Sequence, residues 1–137
     1  MSVNDAQQYH TKQVHYLFAD VTFSNDGETT SLGWVPAGAS IVDAGANVTT
    51  AFNAGTTNTL NIGYRNGGNS ETDDADEYAS LIALGTAGII AADDLATAAV
   101  NSFPGGAEIT FGVVLTGTAA TAGAATVWVQ YIVDHGS

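Results

Sequence analysis

The chain has no cysteine, and its 137 residues include only two lysine or arginine side chains, Lys12 and Arg65. Without cysteine there is neither a disulfide framework nor a thiolate metal site. The redox compartment stays open, because a domain of this length needs no covalent staple. Set against 14 Asp and Glu, the two cations leave a net charge of −12. Such a surface repels nucleic-acid phosphates and anionic lipid headgroups, so neither nucleic acid nor membrane is an expected partner. No apolar run approaches the about 20 residues that span a bilayer. The start Met1-Ser-Val-Asn-Asp also lacks the cationic and apolar stretches of a signal peptide, so synthesis in a cytoplasm is expected. Enzyme signatures are missing as well: there is no Gly-x-Ser-x-Gly elbow, no His-Glu-x-x-His pair and no phosphate loop. Charged residues make up only 12%, below the about 25% of an average soluble domain. Much of the surface is therefore weakly polar Thr, Asn, Gly and Ala, suited to contact with other subunits.

What is present is β pattern. The polar residues 1–12 read as a flexible N-terminal arm, and 13–137 as a single β-sandwich domain. Over 13–23, His15, Leu17, Ala19 and Val21 share one parity while Val14, Tyr16 and Phe18 share the other, so both faces of a strand would carry bulk near its start. Ser24-Asn-Asp-Gly27 is a turn. A short strand over 30–35 is stopped by Pro36, which cannot donate to a ladder. A long strand over 40–53 has its expected bulge at Ala44-Gly45-Ala46, and Leu60, Ile62 and Tyr64 mark a half-buried strand over 58–64. After a polar loop over 65–77, the spacing of Tyr78, Leu81, Ile82 and Leu84 predicts one or two helical turns capped by the acidic residues ahead. The stretch 93–100 fits a short helix or a strand. Alternation over 108–116 and 126–133 predicts two last strands, expected to pair as a terminal hairpin. About eight strands with one or two short helical turns indicate an all-β fold, an antiparallel β-sandwich of jelly-roll type.

Candidate chemistry is sparse. Glu71, Asp73, Asp74, Asp76 and Glu77 place five carboxylates within seven positions, the kind of oxygen cluster that calcium uses. The spacing does not match the helix-flanked calcium loop, which favours a solvated loop capping the next element and no bound metal. His10, His15 and His135 have no companion motif and read as surface or packing residues, while Asp20 and Asp43 would form a carboxylate pair only if the fold joined them. Trp34, Trp128, Tyr16, Tyr64 and Tyr131 raise a sugar-binding platform as an alternative, although Trp128 and Tyr131 have opposite parity on one strand. No catalytic residue and no cofactor is assigned.

Three stretches also carry a resemblance. Val35-Pro-Ala-Gly-Ala-Ser-Ile41, Val48-Thr-Thr-Ala-Phe-Asn-Ala-Gly-Thr-Thr-Asn-Thr-Leu-Asn-Ile-Gly63 and Gly117-Thr-Ala-Ala-Thr-Ala-Gly-Ala-Ala-Thr-Val-Trp-Val-Gln-Tyr-Ile132 resemble small structural proteins of tailed bacteriophages, either head decoration (cement) proteins or fibre and tail parts. The resemblance spans about residues 30–133, with 73–84 as the acidic connection, and it brings no catalytic residues. It implies a non-enzymatic virion subunit on the capsid surface, made in the host cytoplasm. Its expected partners are the major capsid protein and copies of itself, in a homo-oligomer such as a trimer. A tail, baseplate or fibre-associated role is the alternative within the virion, and a carbohydrate-binding β-sandwich the alternative outside it.

Overall fold

A computed structural model describes residues 14–65, 73–95 and 102–133. The expected arm at 1–12, His10, Glu71 and His135 lie outside these described residues. Nine strands follow in order: β1 (Val14–Thr22), β2 (Thr29–Val35), β3 (Ala39–Thr50), β4 (Thr57–Arg65), β5 (Asp74–Ala83), β6 (Gly88–Ala91), β7 (Ser102–Phe103), β8 (Ala107–Thr116) and β9 (Ala124–Val133). One sheet runs β1-β9-β3-β6 with the short β7 also against β3, and the other runs β2-β8-β4-β5. Every strand pairing within these sheets is antiparallel. Leaving β7 aside, the chain crosses between sheets at each step except β4 to β5, which is the winding of a jelly roll.

The sequence explains most of these strands. Inward positions of β4 are Leu60, Ile62 and Tyr64, and those of β8 are Ile109, Phe111 and Val113, all buried. From the other sheet, Ile41, Ala44, Ala46 and Val48 of β3 and Val127 and Val129 of β9 close the core. Alanines at Ala39, Ala44, Ala46, Ala79 and Ala107 are completely buried, so small side chains let the layers approach while a few large ones fill the space. Burial of a residue such as Leu60 or Ile109 contributes about 2 kcal/mol each. Pro36 ends β2 as expected, and Gly38 follows at φ 86, where its amide donates to the Phe103 carbonyl at 2.9 Å. Between β1 and β2, a 3-10 turn (Phe23–Asn25) leads to Gly27 at φ 79.

Three expectations are corrected. The segment Tyr78 to Leu84 is not helical: it belongs to β5 and the residue after it. In β4–β5, Leu60 faces Ile82 while Ile62 faces Ala79, so Ser80 and Leu81 together oppose Asn61. That bulge breaks the two-residue period and produces a helix-like spacing of apolar residues. The last two strands do not form a hairpin, because β8 pairs with β2 and β4 whereas β9 pairs with β1 and β3. The irregularities of β3 fall between Ile41 and Asp43 and between Val48 and Thr50, not at Ala44-Gly45-Ala46. The stretch 93–100 lies mostly outside the described residues, with Asp93 and Asp94 in a bend, and β6 just ahead of them is a strand that the sequence reading passed over.

Candidate interaction surface

The outer face of the β1-β9-β3-β6 sheet is apolar and nearly uncharged. Because alternate residues point outward, the ladder sets Val14 against Ile132, Tyr16 against Gln130, Phe18 against Trp128 and Asp20 against Thr126. Tyr16 is 59% and Phe18 70% exposed, although both belong to a long strand whose opposite side feeds the core. Trp128 extends over Gly45 of β3, where an added Cβ would come within 2.9 Å of the indole. Glycine here is what lets the ring lie on the sheet. The polar groups on this face are mutually occupied: Gln130 Nε2 donates to Tyr16 Oη at 3.0 Å, and the Thr126 hydroxyl donates to Asp20 Oδ1 at 2.9 Å. Asp43 Oδ1 accepts the Ala44 amide at 2.9 Å. Apart from His15, Asp20 and Asp43 are the only titratable acid or base side chains on these strands besides tyrosine. As the edge of its sheet, β1 also has one row of backbone groups outside that sheet's ladders.

The β5 edge of the other sheet has a different character. Asp73 precedes it, Asp74, Asp76 and Glu77 belong to β5 itself and not to the loop expected over 65–77, and Asp93 and Asp94 fold back beside it, the Asp94 amide donating to the Tyr78 carbonyl. The Asp76 amide donates to Asp74 Oδ1 at 3.2 Å. A side-chain hydrogen bond with Asp76, then burial, hold the Asp74 carboxyl above the ordinary carboxylate range. Ser80 is held from two sides: its hydroxyl donates to Asp76 Oδ2 at 3.3 Å and its amide to Asp93 Oδ1 at 3.1 Å. Next to it, Leu81 has φ 58, the only positive φ outside glycine among the described residues. For a leucine this left-handed geometry costs about 1 kcal/mol. The Leu81 amide donates to Asn61 Oδ1 at 2.7 Å, which fixes the bulge, and the side chain is 57% exposed.

The expected site residues scatter over this framework. Among the described residues no group of three or more His, Asp or Glu converges on a metal position. The carboxylates of Asp76 and Asp93 instead accept hydrogen bonds from Ser80. Asp20 and Asp43 share a face but stand on β1 and β3 with β9 between them, and they are offset along it as well, Asp20 level with Thr126 and Asp43 level with Gln130. They do not form a carboxylate pair. His15 stacks on Tyr131 at 5.3 Å. Tyr64 is buried edge-on against Phe103 at 5.3 Å, and Trp34 is exposed on β2 opposite Glu108. The five aromatics proposed for a sugar platform therefore lie on different surfaces, with Tyr16 and Trp128 alone sharing one. Phe18 and Leu81, the exposed anchors of the two regions, were not singled out by sequence. The parity of Phe18 with Tyr16 was the available signal for the first, whereas nothing local announces the second.

Two shallow grooves lie elsewhere. One of about 100 Å³ includes Glu28, Asn61, Ala75 and Gly112 in its lining, and one of about 280 Å³ includes Asp26, Ala54 and Leu115. Each has one acidic side chain in its wall and no second titratable group to work with it. Further along the same ladder, Arg65 Nε donates to Glu108 Oε1 at 2.9 Å across β4 and β8. Thr110, fully buried on β8, has a hydroxyl with no hydrogen-bond partner.

No family model matches the sequence, and no curated protein matches it. Solved structures do. A chain in the capsid of Ralstonia phage GP4 aligns with a TM-score of 0.65 and 21% identity, covering 91% of this chain and 86% of that one. A chain in the capsid asymmetric unit of cyanophage Pam1 gives 0.63 and 18%, with 90% and 86% covered. A chain in the acidic stable capsid structure of Helicobacter pylori bacteriophage KHP30 gives 0.61 and 16%, with 88% and 87% covered. The antiparallel β-sandwich is thus shared over nearly its whole length with chains found in phage capsid structures.

Proposed function

We propose that this chain is a non-enzymatic structural protein of a tailed-phage virion, and within it a decoration (cement) subunit on the outside of the head. The observation that carries this reading is the whole-length similarity to chains in three phage capsid structures, each covered by at least 86%. The charge distribution supports it. Copies of a chain with net charge −12 repel one another, so they meet where charge is least, on the Val14, Tyr16, Phe18, Trp128 and Ile132 face. A closed ring of such copies, a trimer at a local three-fold position being the simplest, is the assembly proposed. Its other partner is the major capsid protein, and its place is the capsid surface after synthesis in the host cytoplasm.

The mechanism is linkage. A subunit that binds the assembled shell and not its separated parts stabilises the assembled state, by about 2.7 kcal/mol per site at a free concentration 100 times the dissociation constant. No bond is made or broken, so complementary surfaces suffice and acid–base machinery is unnecessary. The test is to mix the purified chain with heads of the source phage that lack it. Co-sedimentation with assembled heads, accompanied by a higher temperature of genome release, is expected. Binding only to tails would support the tail, baseplate or fibre reading, and specific retention on a glycan array without head binding would support the carbohydrate reading; either overturns decoration.

A further inference from the structure

We infer that Leu81 is an anchor for an apolar pocket with a basic rim on a different protein, which under the decoration reading is the shell subunit. The inference rests on that reading for the partner's identity, but its chemistry comes from this chain alone. Leu81 stands in a left-handed backbone conformation at φ 58, a geometry that glycine or asparagine adopts far more readily than leucine. The leucine side chain is not part of the core and is 57% exposed. Yet the conformation is held firmly. Asn61 Oδ1 accepts the Leu81 amide at 2.7 Å, while Asp93 and Asp76 hold the amide and hydroxyl of Ser80. A bulge re-aims a side chain, and a strained one persists only when its surroundings determine it. Here the re-aimed side chain is a bare isobutyl group projecting from an edge strand.

The surroundings also define the partner. Asp76 and Asp93 bond Ser80, the residue before Leu81, with Glu77 and Asp94 next to them in sequence. An apolar side chain in an acidic collar fits an apolar hollow edged by lysine or arginine, whose charges the collar would neutralise on docking. A second copy of this chain is a poor source of that edge. It has only Lys12 and Arg65, and Arg65 is already bonded to Glu108 at 2.9 Å. The β5 edge is therefore assigned to the shell, and the uncharged face of the other sheet to contacts between copies.

The test uses the full chain and heads of the source phage lacking it, with Leu81→Gly and Leu81→Asn as variants. Both substitutes accept the left-handed conformation, so both variants should melt at or above the temperature of the unaltered chain while binding heads at least about tenfold more weakly. Binding of the unaltered chain should also weaken at least about tenfold between 50 and 500 mM NaCl, as screening predicts for a charged collar. If the unaltered chain binds heads and both variants bind equally well, or if salt has no effect, the anchor is wrong while decoration stands. If the variants lose self-association instead of head binding, the partner is a second copy and the inference is overturned. If the unaltered chain does not bind heads, the decoration reading itself fails and takes the assignment of the partner with it.

Discussion

The outer face around Phe18 and the β5 edge around Leu81 both expose large apolar side chains, and they reach that state by different means. On β1 and β9 the alternation is regular: Phe18 faces Trp128 across an undistorted ladder, and the neighbouring polar groups of Asp20, Thr126, Tyr16 and Gln130 are tied to one another. On β5 the ladder is broken, the backbone at Leu81 is strained and carboxylates crowd the site. A regular face with little charge suits repetition of like copies, because like-charged chains can approach there. A strained, charge-flanked projection suits one unlike partner. Under the proposed function, the contrast would let a chain with so little positive charge bind both itself and an unlike partner.

The contrast can be broken most forcefully at two glycines. A Cβ on Gly63 would lie inside van der Waals contact with the Asp74 carbonyl and the Ala75 backbone, which cannot yield without lifting the start of β5 from its sheet. Gly63→Ala should destabilise the fold by about 3 kcal/mol or more in denaturant titration. Gly45→Ala, which meets the Ile90 carbonyl as well as the movable Trp128 ring, should cost less, about 1–2 kcal/mol. Equal losses would deny the special closeness of the β5 cover. Next in size, Phe18→Asp should weaken self-association at least about tenfold by sedimentation velocity while changing monomer stability by less than about 1 kcal/mol. An unchanged association constant would remove the uncharged face from the assembly.

Smaller is the expected effect of Thr110→Val. Its buried hydroxyl has no partner, so the apolar isostere should stabilise the chain by about 1 kcal/mol; a loss of that size would reveal a bond that the hydroxyl makes. Smallest is Asp74→Asn. The folded-state pKa of Asp74 is raised above 3.8, so the folded chain holds this proton more tightly than the unfolded chain does. The resulting stability is fully present below 3.8 and is lost as pH rises through the folded value. Melting temperatures measured from that point upward should therefore fall less steeply with pH for Asp74→Asn than for the unaltered chain. A steeper fall would contradict the shift.

Sequence reasoning reached the strands whose two-residue period is intact. Leu60, Ile62 and Tyr64, or Ile109, Phe111 and Val113, alternate cleanly and are buried as their parity requires. It failed at β5 because two register shifts, one at Ser80 and Leu81 and one between Asp74 and Ala79, leave Tyr78, Ala79 and Ile82 all inside, which hides the two-residue period. It failed on the final pairing because proximity in sequence suggested a hairpin, whereas the 117–123 connection passes from one sheet to the other. Strand β6 has only four residues, too few to show a period. Of the interaction surface, the aromatics Tyr16 and Trp128 were visible as exposed-side candidates, but their meeting on one face depends on the β1–β9 register, which no local pattern states. Leu81 looked like an ordinary core residue of a helix, since left-handed backbone at a leucine arises only from the tertiary bonds of Asn61, Asp76 and Asp93.

Cryo-electron microscopy of the source phage tests the central claim most directly. Regular jelly-roll density on the outside of the head is expected, with the Phe18 face turned toward neighbouring copies and the Leu81 edge turned toward the shell. Density for this chain at the tail alone, or on the head with the Leu81 edge facing solvent and the Phe18 face pressed to the shell, would contradict it.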